Sequence, residues 1–153
     1  MSRALHLIVV GKLKDGALES IELDYLKRIN NPELIIHEVR ASAENKQAEG
    51  EALLKKIKEI TKDGSSQVIA LSEWGKRFTS VKFSEWLCQI LERSPRTIFL
   101  IAGAEGFSDD VLRICQDKLS LSELTFPHKL ARILLCEQLY RAQTIRSGHP
   151  YHN

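Results

Sequence analysis

At 153 residues the chain has the length of one ordinary domain, and 43% hydrophobic with 27% charged residues is the balance of a folded globular protein rather than a disordered one. It holds no run of about 18 apolar residues that could cross a membrane. A net charge of +2 and a pI near 8.4 are too modest for a dedicated nucleic-acid domain, which usually exceeds a pI of about 9. The three cysteines, Cys88, Cys115 and Cys136, are far apart, each in an expected helix and with no Cys-x-x-Cys pair. That spacing argues against a metal centre or a disulfide framework, and for small buried hydrophobes in a reducing cytoplasm.

Leu5-His-Leu-Ile-Val-Val10 is an apolar run closed by Gly11, as expected of a strand covered on both faces. The apolar stretch at the N-terminus is too short for a secretory signal and carries no cleavage site. Leu18, Ile21, Tyr25 and Ile29 recur at helical spacing until Asn30-Asn-Pro32 stops them. Leu34-Ile-Ile-His-Glu-Val39 reads as a second strand, with His37 a sheet residue that has a local partner. Residues 43 to 62 read as a charged helix with Leu53, Ile57 and Ile60 on one side. After the turn at Asp63-Gly-Ser-Ser66, Gln67-Val-Ile-Ala-Leu71 is the third strand, broken by the loop Ser72-Glu-Trp-Gly75.

Phe83, Trp86, Leu87, Ile90 and Leu91 fit an amphipathic helix, which makes Trp86 a core residue rather than a base-stacking platform. Arg96 to Ile101 is the fourth strand, and it ends in Ala102-Gly-Ala-Glu-Gly106. Ser108 can cap the next helix, with Asp109 and Asp110 at its positive end. Lys118 to Leu124 is expected to be the fifth strand. Strands and helices thus alternate throughout, the signature of a single α/β domain over residues 1 to 153 with a mainly parallel sheet flanked by helices.

The last helix, residues 129 to 146, carries three apolar stripes: Ala131, Leu135, Leu139 and Ala142; Ile133, Cys136 and Tyr140; and Leu130 with Leu134. Burial on several sides is expected of it, either within its own domain or, as a chain with one core suggests, in a two-fold dimer that includes Leu135. From His128 onward the chain nets +3, leaving −1 for the rest, so positive charge gathers where an anionic partner would sit.

Ligands of an open α/β sheet bind outside the carboxyl ends of its strands. Three such ends have unusual sequence: residues 71 to 75, 101 to 106 and 121 to 127. Gly103 and Gly106 permit close approach and positive φ, and the third loop offers main-chain groups able to grip a flat heterocycle. Phosphate-cradling glycine motifs are missing, as is a Gly-x-Ser-x-Gly elbow. The adenosine of S-adenosylmethionine therefore suits these loops better than a cofactor held by its phosphates.

These three loops in this order, with Leu139-Tyr-Arg-Ala142 and the terminal His149-Pro-Tyr-His152, resemble the small SPOUT methyltransferases of bacteria, α/β-knot enzymes that methylate N3 of a pseudouridine in 23S rRNA. The resemblance spans essentially the whole chain. It implies a C-terminal trefoil knot, a homodimer, S-adenosylmethionine as cofactor, no metal, and 23S rRNA within the assembled ribosome as partner. Carried over residue by residue, it puts the cofactor on Leu71, Gly103 and the run Leu121, Ser122, Glu123, Leu124, Thr125 and Phe126. Arg141, His149, Tyr151 and His152 fall on the catalytic, substrate-facing positions. The chain departs from the family at Ser72, usually Asp; Ala102, usually Gly; Ala104, usually Pro; and Gln143, usually Trp. Alternatives are a SPOUT enzyme acting on another RNA, which would differ at the tail, and a non-enzymatic ribosome-associated RNA-binding module, which would need no cofactor loops.

Overall fold

The computed structural model describes residues 3–62 and 64–153. Five strands, β1 (Ala4–Val10), β2 (Leu34–Val39), β3 (Gln67–Lys76), β4 (Arg96–Ile101) and β5 (Asp117–Leu119), form one sheet in the order β2-β1-β4-β3-β5. Every pairing is parallel, so all five carboxyl ends share one edge. Five helices connect or follow them: α1 (Gly16–Arg28), α2 (Lys46–Thr61), α3 (Ser80–Arg93), α4 (Asp109–Ile114) and α5 (His128–Ser147).

The two-residue side-chain period of a strand divides the core in two. Leu5, Leu7 and Val9 of β1, with Phe99 and Ile101 of β4, face α1, α3 and α5. Ile8 and Val10, with Ile98 and Leu100, face α2 and α4. A sheet covered on both faces explains why these strands read as unbroken apolar runs.

Two strand boundaries differ from the sequence reading. β3 does not end at Leu71: it bulges through Ser72–Gly75 and resumes at Lys76, which pairs with Leu119 as Leu71 does. β5 ends at Leu119 instead of Leu124, and the chain leaves the sheet at Ser120. Leu119 is buried in the core while Leu121 lines a cleft, so the Leu-Ser alternation belongs to a cleft wall rather than to a ladder. Helix α2 begins at Lys46, capped by Asn45, because Glu44 at φ 57 lies outside the helical region. Cys115 ends α4 rather than lying within it. Burial pushes the thiols of Cys115 and Cys136 up to about 11 and about 12, which disfavours the nucleophilic thiolate in both.

In α1 one position of the expected stripe changes, while Leu18, Tyr25 and Ile29 remain on the inner side. Ile21 is 45% exposed and Glu22 is buried, because Glu22 pairs with Arg132 of α5. His37 finds its partner in His6 across β1 and β2, with Nδ1 of His6 2.9 Å from Nε2 of His37. Burial, then the charge of His37 and of Arg96, lowers His6 to about 4, and burial with the charge of Lys56 lowers His37.

Ser108 caps α4 as its sequence context suggests, accepting from Val111 N at 3.4 Å. It also accounts for a glycine inside α2, since a side chain at Gly50 would collide with the Ser108 hydroxyl. Ser108→Ala should cost about 1 kcal/mol; an unchanged urea midpoint would show that the hydroxyl does not cap the helix.

Candidate active site

The bulge of β3, the loop after β4 and the loop from Ser120 to Pro127 converge at the carboxyl edge and enclose a cleft of about 490 Å³. Leu71, Gly103, Leu121, Ser122, Leu124, Thr125 and Phe126 all line it. Glu123 does not: its side chain is 81% exposed and pairs with Arg77. Residues on the wall outside the three loops singled out from the sequence include Phe107, Leu112, Lys118 and His128.

Local chemistry fixes each wall. Ser120 N donates to Lys76 O at 2.8 Å, and a Cβ on Gly75 would meet the backbone of Leu119 at 2.6 Å, so the bulge lies flat against the end of β5. Thr125 Oγ1 donates to Glu73 Oε2 at 3.1 Å, tying the first loop to the third. Leu124 N donates to Ser122 Oγ at 3.0 Å, and Ser120 Oγ to the Ser122 carbonyl at 2.9 Å. The middle loop turns at Gly106, whose φ of 81 suits glycine and whose N–H reaches Gly103 O at 3.1 Å. Gly103 is required for a different reason: a Cβ there would sit 2.7 Å from Oε1 of the buried Glu49.

The tail forms a second group. Tyr151 donates its hydroxyl to Glu137 Oε2 at 3.0 Å, lies 3.5 Å from the Tyr25 hydroxyl, and packs edge-on against Tyr140. The Arg141 guanidinium stacks 4.8 Å above the Tyr151 ring, is bonded to Glu137, and reaches His152 Nδ1 at 2.8 Å. Arginine only donates, so Nδ1 of His152 accepts and Nε2 carries the proton. Nδ1 of His149 likewise accepts from Tyr151 N at 3.2 Å. Burial, with the Tyr25 hydroxyl and the Glu137 carboxylate, pushes the Tyr151 phenol well above its usual range, making it a hydrogen-bond donor at neutral pH.

Arg141, His149, Tyr151 and His152 are thus brought together, yet none of them lines the cleft. Arg141 lies 10 residues beyond Ala131, the last residue of α5 on the cleft wall, about 15 Å along a helix at 1.5 Å per residue.

Two sequence expectations about α5 change. Ile133, Leu135, Cys136, Leu139, Tyr140 and Ala142 are buried in the chain's own core, leaving Leu130 at 44% and Leu134 at 38% exposure as the apolar remainder. The positive surplus of the C-terminal segment is mostly engaged internally: Arg132 is buried between Glu22 and Glu38, Arg141 is paired with Glu137, and Arg146 donates to Asn31 O. Gln143 lies away from the cleft. Its side chain accepts from Asn30 N and Asn31 N and donates to Arg28 O, clamping the turn between α1 and β2. That departure bears on the turn, whereas Ser72, Ala102 and Ala104 stand on the cleft wall.

A family model described as predicted SPOUT methyltransferase matches residues 4–152. A protein of Gluconacetobacter diazotrophicus, named ribosomal RNA large subunit methyltransferase H, is 41% identical over 97% of this chain and 96% of its own. A protein of the same name from Exiguobacterium sp. is 38% identical over 97% and 98%. Among solved structures, a probable methylase family protein of Haemophilus influenzae superposes with a TM-score of 0.60 at 13% identity, covering 100% of this chain and 72% of that one. TrmJ of Z. mobilis gives 0.53 at 11% identity, covering 94% and 70%. The structures share the fold, and the sequence matches reach from the first strand to the terminal His152: the chain belongs to the SPOUT methyltransferase family.

Proposed function

We propose that the protein is an S-adenosylmethionine-dependent methyltransferase that modifies N3 of a pseudouridine in 23S rRNA on the assembled ribosome, acting in the cytoplasm as a trefoil-knotted homodimer. The observation that carries this reading is the cleft. Its walls of Leu71, Ile101, Leu121 and Phe126 suit a flat, uncharged heterocycle, and about 490 Å³ lies within the usual range for a ligand of this size. The rRNA substrate is supported by relatives that carry that name at 41% and 38% identity.

When bound, the cofactor supplies an electrophilic methyl group on a sulfonium. The protein's part is to hold the ring nitrogen about 3 to 3.5 Å from that carbon and to exclude water. The remaining N–H groups of Arg141 and the Nε2–H groups of His149 and His152 offer donors to a pyrimidine's carbonyl edges, while Tyr151, its one hydroxyl proton given to Glu137, holds Arg141 by its ring face. The ring acceptors of both histidines are already occupied, so in this arrangement the tail orients the base rather than deprotonating it.

With about 15 Å of helix between cleft and tail, one chain does not bring both to a single base. A two-fold dimer does so if the cleft of one subunit faces the tail of the other, and exposed Leu130 and Leu134 on α5 supply an apolar contact for it.

Calorimetric titration with S-adenosylhomocysteine should give saturable binding, and labelled cofactor should methylate 70S ribosomes lacking the modification faster than protein-free 23S rRNA. Absence of heat at millimolar ligand would remove the methyltransferase reading. Equal rates on both substrates would remove the assembled ribosome as the substrate.

A further inference from the structure

The cations of α5 are engaged within the chain apart from exposed Lys129, and a second set without ion pairs lies in two loops. Lys12 and Lys14 in the β1–α1 loop, and Arg40 and Lys46 around the β2–α2 loop, are all exposed, and none forms an ion pair among the described residues. Of the acids beside them, Asp15 is engaged as the cap of α1, accepting from Leu18 N at 3.1 Å, and Glu44 is exposed. Because the sheet is wholly parallel, both loops stand at the carboxyl edge, the edge that holds the cleft.

Both loops are held rigidly. Gly11, at φ 90, donates to Val39 O at 2.8 Å, joining the first loop to the end of β2. Leu13 is 2% exposed and is anchored in the core, so the lysines on either side of it are fixed at the surface. Lys14 and Glu44 have φ values of 46 and 57; non-glycine residues persist there only where their surroundings hold them, and such positions cluster at binding sites. In the second loop Ser42 N donates to Glu49 Oε2 at 3.0 Å. The same carboxylate packs against Gly103 on the cleft wall. One buried side chain therefore separates the basic loop from the cleft.

We propose that these two loops form the phosphate track for the RNA strand whose base enters the cleft, with Lys12, Lys14, Arg40 and Lys46 binding backbone phosphates. The proposal rests on the RNA-methyltransferase reading above. A domain with a net charge of +2 has few cations to offer a polyanion, and those buried or paired within α5 release no counterions from it. A preformed row of unpaired ones beside the cleft supplies position and affinity together, while carrying no base specificity.

The test uses the full chain, 70S ribosomes lacking the modification, and the variants Lys12→Gln/Lys14→Gln and Arg40→Gln/Lys46→Gln. Lys55→Gln/Lys58→Gln on the exposed side of α2 serves as the charge control. Each track variant should reduce the dependence of log(kcat/KM) on log salt by about 0.7 per lysine or arginine removed, and raise KM about 10-fold at physiological salt. S-adenosylhomocysteine binding by calorimetry and kcat should stay at the parent's values, and the control should match the parent throughout. Track variants with the parent's KM and salt slope, or a control that shifts KM equally, would overturn the track. A parent that binds no S-adenosylhomocysteine would instead defeat the methyltransferase reading and the track with it.

Discussion

Arg132→Met should lower the stability of the fold by about 3 to 5 kcal/mol, read from the urea midpoint. The Arg132 side chain is 5% exposed and lies between two carboxylates: Nε and Nη2 meet Glu22 at 2.6 and 2.9 Å, and Nη1 meets Glu38 at 2.7 Å. These bonds join α5 to α1 and to β2, the outermost strand. Removing the guanidinium leaves the buried Glu22 carboxylate without a counter-charge, which costs more than the pair itself contributes. The paired replacement Glu22→Leu/Arg132→Met should therefore recover most of the loss, because an apolar pair of similar volume escapes the desolvation cost on both sides. A single variant within about 0.5 kcal/mol of the parent would mean that water reaches Glu22 and that the triad is not a buried one.

The same triad shows where sequence reasoning stops. Alternation and helical spacing found β1, β2, β4 and the core of α3, since those elements bury one face or both and their periods reflect it. They misplaced one position of the inner stripe of α1, Ile21 in place of Glu22, because Glu22 is inside only by virtue of a partner 110 residues away, and no local pattern marks a buried charge. The cleft loops were legible because the carboxyl edge of a parallel sheet is where ligands bind whatever the fold's details, and each loop follows a strand that could be recognised. The ends of β3 and β5 were not, because the bulge and the departure at Ser120 are set by contact between the Gly75 and Leu119 backbones. A glycine inside an otherwise good helix was an available signal: Gly50 follows Glu49, and together they support Ser108 and Gly103. The stripes of α5 were read correctly as apolar but could not say which neighbour covers each, and only Leu130 and Leu134 remain exposed.

A chain ending at Gly148 should bind S-adenosylhomocysteine as the full chain does, yet lose methyl transfer by at least about 100-fold, since misplacing the reacting atom by an ångström is enough for that. The first half follows from the cleft wall, which contains no residue beyond Ala131. The second follows from the loss of Tyr151 and His152, which leaves Arg141 with Glu137 alone. Whether the tail serves its own subunit's cleft or its partner's is decided by mixing the truncated chain with Gly103→Val, whose added side chain would be forced against the Glu49 carboxylate and displace the cleft wall. In a mixed dimer one subunit brings an intact cleft and the other an intact tail, so random assortment should restore up to about a quarter of the parent's activity if the site is shared between subunits. A site built within one chain would give no rescue, and a mixture as inactive as its components would show that reading of the roughly 15 Å separation to be wrong. Leu134→Glu supplies the independent check. It places a charge on the exposed apolar side of α5 without entering the core, so the variant should stay folded, scatter light as a single chain of 17.4 kDa, bind S-adenosylhomocysteine, and fail to complement either partner.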